Sequence, residues 1–395
     1  MNDTREFDIV VYGASGFTGR LAAHYLSRKP LRLALAGRNR SKLEAVAAGC
    51  LNQPALIIAD SADSASIRSL VQRTHVVANF AGPFALYAEP VIAACAELGR
   101  HYCDITGETP FIRKMIARYQ SKAEASGACL IPFAGFDSVP AELTSYCALK
   151  EAARAGYTLD HMLHYYQLRG GLNGGTLASA LTMAEQGESR TMLNPNLLVD
   201  DPSWPKNPRP AISPRYEPVL DRWSAPFFMN PINTAVVRRS TFLRQKLGVG
   251  EPVFAYEERM LFGPKLAGRL EAQAATLAMG AFAGVTAHPL GRKLARRFGP
   301  QPGEGPADDK RLKNFYKGRL VGRSEERPRV LVTFNCQGDP GNETTITFAS
   351  EIACLLHEEA QKPLGGGFTT PSVAFAEALL ARLIATGMTM DVKAL

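Results

Sequence analysis

The sequence of 395 residues lacks several features that mark specialised classes of protein. Its seven cysteines include no Cys-x-x-Cys pair and its seven histidines form no cluster with ligand spacing, so neither a zinc motif nor a disulfide framework is indicated. It has no internal repeat and no low-complexity tract, which argues against a solenoid and a disordered chain. No basic start with an apolar core precedes the first strand, so no signal peptide is expected. We therefore expect reduced, buried thiols, no metal and a cytoplasmic location.

What is present is typical of a globular protein with two domains. Hydrophobic residues make up 46% of the chain and charged residues 21%, and the length exceeds that of one average domain. The formal net charge is +8, and residues 291–329 hold nearly all of this excess, with twelve basic and five acidic residues. Such a basic segment suits phosphate, an anionic lipid surface or an acidic partner, and charge alone does not choose among them.

Short apolar runs alternate with helical spacing over the first third of the chain. The predicted strands there are 7–12, 31–36, 55–59, 75–80, 102–105 and 129–133. Strands that alternate with crossover helices predict a parallel sheet with helices on both faces. The predicted fold class is therefore α/β, with an N-terminal Rossmann-type domain over residues 1–146.

The pattern changes in residues 147–370. Longer strands are predicted at 161–168, 253–262, 329–336 and 344–352. Their alternation and wide spacing predict a second, mixed α/β domain built on a mostly antiparallel sheet. Proline opens a further helix at residue 371 and Gly387 closes it. We expect this C-terminal segment, 371–395, to pack back on the first domain.

A glycine-rich loop, GASGFTG at residues 13–19, follows the first predicted strand and opens the first helix. Gly13 permits a tight turn, Gly16 lets the backbone approach a pyrophosphate, and Gly19 lets the helix pack close to the sheet. Tight turns without a ligand also use glycine, but this context predicts a dinucleotide site at the helix N-terminus. The candidate cofactor-binding residues in the loop are Gly13, Ser15, Gly16, Phe17, Thr18 and Gly19.

Arg38 ends the second strand, where an NAD site usually has an acidic residue. A guanidinium group can bind a 2′-phosphate bidentately, which predicts NADP(H); the alternative is a solvated basic loop. Asp60, after the third strand, is placed to touch the adenine or to cap the next helix. The end of the fourth strand predicts the nicotinamide position or a plain turn, and its candidate residues are Asn79, Ala81, Gly82 and Pro83.

Candidates for the chemistry are weaker. Ligands bind beyond the carboxyl ends of strands in such sheets, so Tyr102, Asp104 and Asp137 are candidate proton donors. Alternatively, Asp137 or Ser138 caps the helix that Pro140 opens, and the sequence slightly favours this interpretation. A Tyr-x-x-x-Lys pair at residues 146 and 150 has reductase spacing, but the same spacing recurs by chance at residues 25 and 29.

Residues 272–291 carry no charged side chain across 20 positions. Their alanine and glycine content argues against a membrane span and predicts a buried helix or the lining of an apolar tunnel. An interfacial helix is the alternative, because Arg292, Lys293, Arg296 and Arg297 follow. The segment 272–298 is thus a candidate contact for an acidic carrier or for peripheral membrane association. Nucleic acid is not expected, since no recognised module accompanies the basic segment.

Several motifs together resemble the saccharopine dehydrogenase-like oxidoreductases, and within them the trans-acting enoyl reductase branch. These motifs are GASGFTG at 13–19, AGR at 36–38, NFAGPF at 79–84, HYCDITGE at 101–108, GFDSVP at 135–140, GGLNGGTLAS at 170–179 and GGGFTTPSVAFAEALLARL at 365–383. The resemblance implies an NADP-binding Rossmann domain, a mixed second domain, and reduction of an enoyl group of a lipid- or polyketide-type substrate.

The leading hypothesis is an NADP-dependent oxidoreductase that reduces an enoyl or carbonyl group of a hydrophobic substrate by hydride transfer. One alternative is a saccharopine dehydrogenase-like enzyme for an amino-acid-type substrate, with Arg169, Arg238 and Arg239 as a candidate carboxylate clamp. Another is a non-enzymatic protein that senses NADP or binds lipid. A homodimer is compatible with each of these.

Overall fold

The computed structural model describes residues 5–170, 174–250, 252–299, 311–358 and 365–395. In these ranges the strands are β1 (Phe7–Tyr12), β2 (Leu33–Gly37), β3 (Ala55–Ile58), β4 (Thr74–Asn79), β5 (His101–Asp104), β6 (Cys129–Ile131), β7 (His161–Arg169), β8 (Arg215–Glu217), β9 (Arg222–Pro226), β10 (Ala255–Leu261), β11 (Phe315–Ser324), β12 (Arg327–Gln337), β13 (Gly367–Phe368) and β14 (Thr389–Ala394).

The described helices connect and cover these strands. They are α1 (Phe17–Leu26), α2 (Arg40–Ala47), α3 (Ser64–Gln72), α4 (Phe84–Tyr87), α5 (Glu89–Leu98), α6 (Thr109–Ser126), α7 (Val139–Ala155), α8 (Gly174–Glu185), α9 (Asn230–Lys246), α10 (Leu266–Ala287), α11 (Pro289–Phe298), α12 (Thr345–Glu358) and α13 (Pro371–Ala385). A bilayer-spanning helix needs about 20 apolar residues, and no helix in the described ranges is long and apolar enough to cross a membrane.

The first sheet is parallel and has the strand order β13-β6-β5-β4-β1-β2-β3. Strands β1 and β2 are buried along their whole length, as expected for a sheet covered on both faces. The chain order reverses between β1 and β4, and this switch point opens a crevice at the carboxyl ends of both strands. The predicted Rossmann-type fold is confirmed.

The second sheet has the order β14-β12-β11-β7-β10-β9-β8. Its neighbouring strands run antiparallel except β7 and β10, which are parallel. The prediction of a mixed, mostly antiparallel sheet is confirmed. Helix α7 packs on β11 and β12, and α9 packs on β10, so both helices contribute to the core beside this sheet.

The prediction of a strand at 344–352 is wrong, because these residues belong to α12. The run TITF is rich in β-branched residues, which favour strands in a half-buried sheet. Here the segment is buried on nearly all sides: Ile346, Phe348, Ala349 and Ile352 are enclosed between the first sheet and its neighbours. Helix α12 packs on β4 and β5 and against α1, so it covers the first sheet although it lies far along the chain.

The C-terminal segment serves both sheets. Strand β13 extends the first sheet beside β6, and α13 packs against α7 and α12. The helix ends at residue 385, and β14 then pairs antiparallel with β12 at the edge of the second sheet. Within this segment the helix contacts α12, which covers the first sheet, whereas the final strand joins the second sheet. Residue 147, the proposed boundary, lies within α7.

Two expectations about exposure have different outcomes. All seven cysteines are buried and none of them forms a disulfide, as predicted for reduced thiols. The predicted burial of residues 272–291 is wrong: they lie in α10 and at the start of α11, and in α10 only Gly268 and Ala272 are buried. Helices α10 and α11 pack on each other, with their remaining surface mostly open to solvent.

Candidate active site

The glycine-rich loop forms a close backbone cradle at the carboxyl end of β1. Gly13 has a φ of +78°, and a Cβ there would lie 2.7 Å from the amide nitrogen of Ala81. A Cβ at Gly19 would lie 2.2 Å from the carbonyl oxygen of Gly13, so α1 packs directly on the loop. Gly16 precedes α1 with extended backbone and has no side chain to cap its first amide groups. The N–H groups of Phe17 and Thr18 thus begin a helix suited to a pyrophosphate.

Ser15 lies in this loop, close to Gly37, and Arg38 follows Gly37 at the end of β2. Arg38 is exposed at the end of β2, and a Cβ at the adjacent Gly37 would lie 3.7 Å from the Ser15 hydroxyl. Burial raises the pKa of the Tyr12 hydroxyl, on which the charges of Asp60 and Arg38 act in opposite directions. The carboxyl ends of β1 and β2 therefore place the Ser15 hydroxyl near Gly37, next to Arg38. A hydroxyl and a guanidinium group in this position suit a 2′-phosphate.

Asp60 supports the turn after β3 and does not cap the next helix. Its carboxylate accepts the amide of Ala62 at 3.0 Å. Helix α3 is instead capped by Asp63, which accepts the amide of Ala65 at 3.0 Å. The capping alternative for Asp60 is wrong, and its contact with the adenine stays a prediction.

The turn after β4 is held from below by Asn79, which is buried. Its Oδ1 accepts the amide of Ala81 at 2.9 Å, and its Nδ2 donates to the Tyr102 hydroxyl at 3.0 Å. Gly82 is exposed, and the Gly82–Pro83 peptide bond is cis. Asn79 thus fixes the backbone of the turn, while Ala81, Gly82 and Pro83 form the surface of the crevice.

Glu108 fixes the far side of the same turn. Its buried carboxylate accepts the amide of Phe84 at 3.0 Å and that of Ala85 at 2.6 Å, at the start of α4. Burial raises the pKa of Glu108, and a hydrogen bond with Ser179 in α8 opposes that rise. The loop after β5 therefore joins the crevice to α8.

Tyr102 and Asp104 bind each other beneath the sheet edge. The Tyr102 hydroxyl donates to Asp104 Oδ2 at 2.7 Å, and the amide of Thr106 donates to Asp104 Oδ1 at 3.0 Å. Burial raises the pKa of Asp104 to about 7, against the effect of these hydrogen bonds. Both side chains are almost fully buried, so the structure places them where they support the turn below Asn79.

Asp137 is placed differently from the other two candidates. It lies in the turn after β6, where the amide of Phe136 donates to the Thr345 hydroxyl at 3.0 Å. Its Oδ1 is buried and has no hydrogen-bond partner within the described residues, and burial raises its pKa to about 7. The Asp137–Ser138 peptide bond is cis. Of the two predicted caps, Ser138 occupies the cap position of α7, without a side-chain hydrogen bond to the helix, and Asp137 does not.

A buried carboxyl group in the second sheet faces this turn, and the sequence did not reveal it. Glu258 Oε1 accepts the hydroxyls of Tyr166 at 2.6 Å and Tyr256 at 2.8 Å, and Oε2 accepts from Asn233 at 2.9 Å. Burial raises the pKa of Glu258 to about 8, and the charge of Asp137 acts in the same direction. The two carboxyl groups therefore interact across the junction of the sheets.

His164 extends this cluster to a third tyrosine. Its Nδ1 lies 3.1 Å from the Tyr256 hydroxyl and its Nε2 lies 3.0 Å from the Tyr316 hydroxyl. Burial lowers the pKa of His164 to about 3, so the ring is neutral. The space for these contacts exists because residue 318 is glycine: a Cβ there would lie 1.9 Å from the Tyr316 hydroxyl. We call Glu258, Tyr166, Tyr256, His164 and Tyr316 the buried polar cluster.

The Phe136 side chain joins the two regions. Its ring centroid lies 5.0 Å from that of Tyr316 and 6.0 Å from that of Tyr166, both edge to face. The buried polar cluster is therefore directly behind the Asp137 turn. One sequence signal was available: His164 and Tyr166 are two apart on one strand, and Tyr256 and Glu258 are two apart on another. This spacing puts each pair on one face.

Other candidates lie elsewhere. Arg238 and Arg239 are buried and donate to backbone carbonyl oxygens, Arg238 to Phe254 at 3.2 Å and Arg239 to Leu198 at 2.7 Å. Arg169 is exposed at the end of β7. These three do not form a carboxylate clamp, since two of them are committed to holding the backbone.

The Tyr-x-x-x-Lys pair lies on the protein surface. The Tyr146 hydroxyl donates to Glu377 at 2.9 Å, and Lys150 pairs with the same carboxylate. Both side chains thus bind α13.

One grouping of potential metal ligands occurs in the described residues. Atoms of Asp8, His75 and His357 lie within 4.8 Å of one another at the amino end of the first sheet. Arg32 donates to the Asp8 carboxylate at 2.9 Å, so this carboxylate already has a cationic partner. This grouping lies at the amino ends of the strands, whereas the cofactor crevice lies at their carboxyl ends.

Comparisons with known proteins agree with this geometry. Residues 9–131 match the family model described as the saccharopine dehydrogenase NADP binding domain, which confirms NADP(H) as the predicted cofactor. The chain resembles in fold the saccharopine dehydrogenase (L-Glu forming) of Saccharomyces cerevisiae, with a TM-score of 0.58, 13% identity, and coverage of 98% of this chain and 100% of that one.

Relatives that match the whole chain carry the name trans-acting enoyl reductase. One from Mycobacterium bovis is 32% identical, with 98% of this chain and 97% of the relative covered. One from Mycobacterium ulcerans is 31% identical, with 98% of each chain covered. The chain therefore belongs to the saccharopine dehydrogenase-like family of NADP-binding oxidoreductases, in the branch that includes the trans-acting enoyl reductases.

Proposed function

We propose that this oxidoreductase reduces the carbon–carbon double bond of a hydrophobic, lipid- or polyketide-type enoyl substrate. The observation that carries the proposal is the meeting of two features at one sheet edge. The crevice opens at the carboxyl ends of β1 and β4, and Asp137 follows β6, two strands along the same edge of the sheet. One carboxyl oxygen of Asp137 is buried and has no partner in the described residues. A reductase needs this pairing of a cofactor crevice with a proton source.

The geometry of the crevice supports the following assignment of cofactor-binding residues. We assign the pyrophosphate to the loop and helix start, the 2′-phosphate to Arg38 and Ser15, and the adenine side to Asp60. The full proposed set is Gly13, Ser15, Gly16, Phe17, Thr18, Gly19, Arg38, Asp60, Asn79, Ala81, Gly82 and Pro83. Asn79 acts through the turn that it holds, since it is buried beneath it. Bound NADPH supplies the hydride.

Asp137 is the proposed proton donor. Because burial raises its pKa to about 7, a large fraction of this carboxyl group is protonated near neutral pH. Glu258, whose pKa is raised to about 8, is the proposed reserve that restores the proton through the buried polar cluster. Tyr102 and Asp104 remain engaged with each other and are proposed to support the turn rather than to donate a proton.

An apolar substrate fits the aromatic side chains near this position. Phe228 is exposed and packs edge to face on Phe227 with centroids 4.9 Å apart, and the buried rings of Phe227 and Tyr166 are stacked behind it at 4.3 Å. Aromatic faces offer apolar area but no charge to a ligand. An amino-acid-type substrate would require a cationic clamp, whereas Arg238 and Arg239 are occupied by backbone carbonyl groups.

The test is oxidation of NADPH, followed at 340 nm, with a long-chain 2-enoyl thioester as substrate. We expect turnover by the native protein and a rate lower by about 10²–10⁴-fold in Asp137→Asn, because the amide cannot supply the proton. NADPH affinity should be unchanged in that variant. The matched control is Asp391→Asn, an exposed carboxylate in β14.

Two outcomes would contradict the proposal. The absence of NADPH oxidation with enoyl thioesters, in a protein that binds NADPH, would reject the enoyl substrate. An unchanged rate in Asp137→Asn would reject Asp137 as the proton donor and would mean that another polar group of the crevice supplies the proton.

A further inference from the structure

Helix α11 presents its large apolar side chains to solvent. Leu290, Leu294 and Phe298 are spaced four residues apart, so they share one face of the helix. Their exposed fractions are 65%, 56% and 77%. A stripe of this kind is unusual on a surface in water, where contiguous apolar patches mark interaction sites.

Two cations of α11 fix its orientation. Arg292 donates to the carbonyl oxygens of Thr286 and Ala287 at 2.9 and 3.0 Å, at the end of α10. Arg296 pairs with Glu185 of α8 at 2.5 Å. These contacts lie on the side of the helix opposite the apolar stripe, so they hold the stripe outward.

The other two cations flank the stripe. From the helical period of 100° per residue, Lys293 and Arg297 lie directly beside Leu290 and Leu294. Both are exposed. Residues 272–299 include no acidic residue, so the segment has a net positive charge of its own.

Helix α10 continues the apolar surface. Leu277, Phe282 and Val285 are exposed, and no charged residue occurs between Ala272 and Gly291. Helices α10 and α11 together thus expose an apolar surface with cations along one margin. This arrangement is typical of helices that lie in the interface of a membrane.

We propose that the α10–α11 hairpin docks on an anionic lipid surface. Leu290, Leu294 and Phe298 enter the headgroup region, while Lys293 and Arg297 contact lipid phosphates. The charges argue against a second copy of the chain as the occupant, because Lys293 and Arg297 of one copy would face the same two cations of the other. An acidic carrier protein would pair with the cations but would not account for the exposed side chains of Leu277 and Phe282.

Helix α8 connects this surface to the candidate active site. The Leu177 side chain of α8 contacts Gly299 at the end of α11: a Cβ added at Gly299 would lie 2.3 Å from it. Ser179 of the same helix α8 hydrogen-bonds to Glu108, which fixes the turn after β4. If the proposed function holds, docking brings the crevice close to a lipid-borne substrate; the docking itself does not depend on that function.

The experiment is flotation of the purified full chain with vesicles of phosphatidylcholine alone and with 30% phosphatidylglycerol. We expect binding to the anionic vesicles that weakens as salt is raised. Lys293→Glu/Arg297→Glu and Leu290→Ser/Leu294→Ser should each reduce the bound fraction at least tenfold. The matched controls are Arg327→Glu/Lys393→Glu and Leu51→Ser/Ile212→Ser, which alter exposed residues elsewhere. NADPH titration of each variant verifies that it is folded.

Several results would overturn the proposal. No binding to anionic vesicles, or binding that the two control variants lose to the same extent, rejects a lipid site on this hairpin. Binding that survives Leu290→Ser/Leu294→Ser rejects insertion of the apolar stripe. Self-association in sedimentation velocity that these serine substitutions abolish, without vesicle binding, assigns the surface to a second copy of the chain.

Discussion

The carboxyl edge of the first sheet and the buried polar cluster of the second sheet are built by different means. At the first, the chain's backbone forms the surface: Gly13 and Gly19 leave no room for a Cβ, and buried side chains such as Asn79 only hold the turns. At the second, side chains form the site, and Glu258 is surrounded by hydroxyl and amide donors.

Because of this difference, the two regions should be impaired by different kinds of substitution. A site formed by backbone N–H groups does not tolerate added volume, because these groups must approach the ligand closely. A buried polar cluster tolerates little change in hydrogen bonding or protonation, because an unpaired polar group in it has no water to replace the lost partner. Substitutions of the two kinds should therefore have distinct signatures.

The largest expected effect is at Gly13. Gly13→Ala combines a φ of +78° with a Cβ at 2.7 Å from the amide of Ala81, so we expect NADPH affinity to fall by at least about 100-fold. The matched control is Gly127→Ala, at a φ of +76° with no atom near the added Cβ. It should lose only about 1–2 kcal/mol of stability. Fluorescence titration with NADPH and urea unfolding measure both; equal NADPH affinity in the two variants would contradict a backbone cradle at Gly13.

The next effect concerns cofactor choice. Arg38→Asp removes the guanidinium group that we assign to the 2′-phosphate and adds a carboxylate that repels it, so NADPH affinity should fall by about 10–100-fold and NADH affinity should rise. Arg28→Asp, a change of the same charge at an exposed site after α1, should leave the ratio unaltered. Equal NADPH and NADH affinities in the native protein would reject the role of Arg38.

The sequence predicted the first region better than the second for a physical reason. The glycine loop and Arg38 lie in contiguous motifs at the ends of consecutive strands, so local pattern and sheet topology suffice to place them. Tyr102 and Asp104 were identified as polar groups at the right edge, but only the structure shows that they bind each other. Glu258 lies 92 positions from Tyr166, and their meeting depends on the parallel pairing of β10 with β7, which no local pattern specifies.

The same limit explains the errors in secondary structure. The β-branched residues of α12 favour a strand locally, and only its enclosure against the first sheet and α1 makes the helix preferable. The uncharged composition of α10 predicts burial, whereas most of this helix is exposed. The composition shows that this helix has few charged side chains. It does not show whether the rest of the protein or a separate partner covers the helix.

A smaller effect is expected at Glu258. Burial raises the pKa of Glu258 to about 8 and that of Asp137 to about 7. Because Glu258→Gln removes the proposed proton reserve, the fall of the reduction rate at high pH should then follow Asp137 alone and move to lower pH. We expect the rate at neutral pH to drop by about tenfold. The pH dependence of kcat measures this, with exposed Glu326→Gln as the control. A uniform loss of rate at all pH values would indicate a merely structural role for Glu258.

The smallest expected effect is on the pH dependence of the free energy of unfolding, which the buried carboxyl groups influence and the glycine positions do not. Burial raises the pKa of Asp137 to about 7 and that of Glu258 to about 8, so both are protonated more readily in the folded than in the unfolded chain. Their contribution to stability is complete below about pH 4 and is lost as pH rises through 7 and 8, by at most about 1.4 kcal/mol per pH unit for each group. Urea midpoints from pH 5 to 9 should therefore fall less steeply in Asp137→Asn than in the native protein, whereas Gly127→Ala should keep the native slope. An unchanged slope in Asp137→Asn would mean that its carboxyl group is solvated in the folded chain, and the proton source would then have to lie within the buried polar cluster itself.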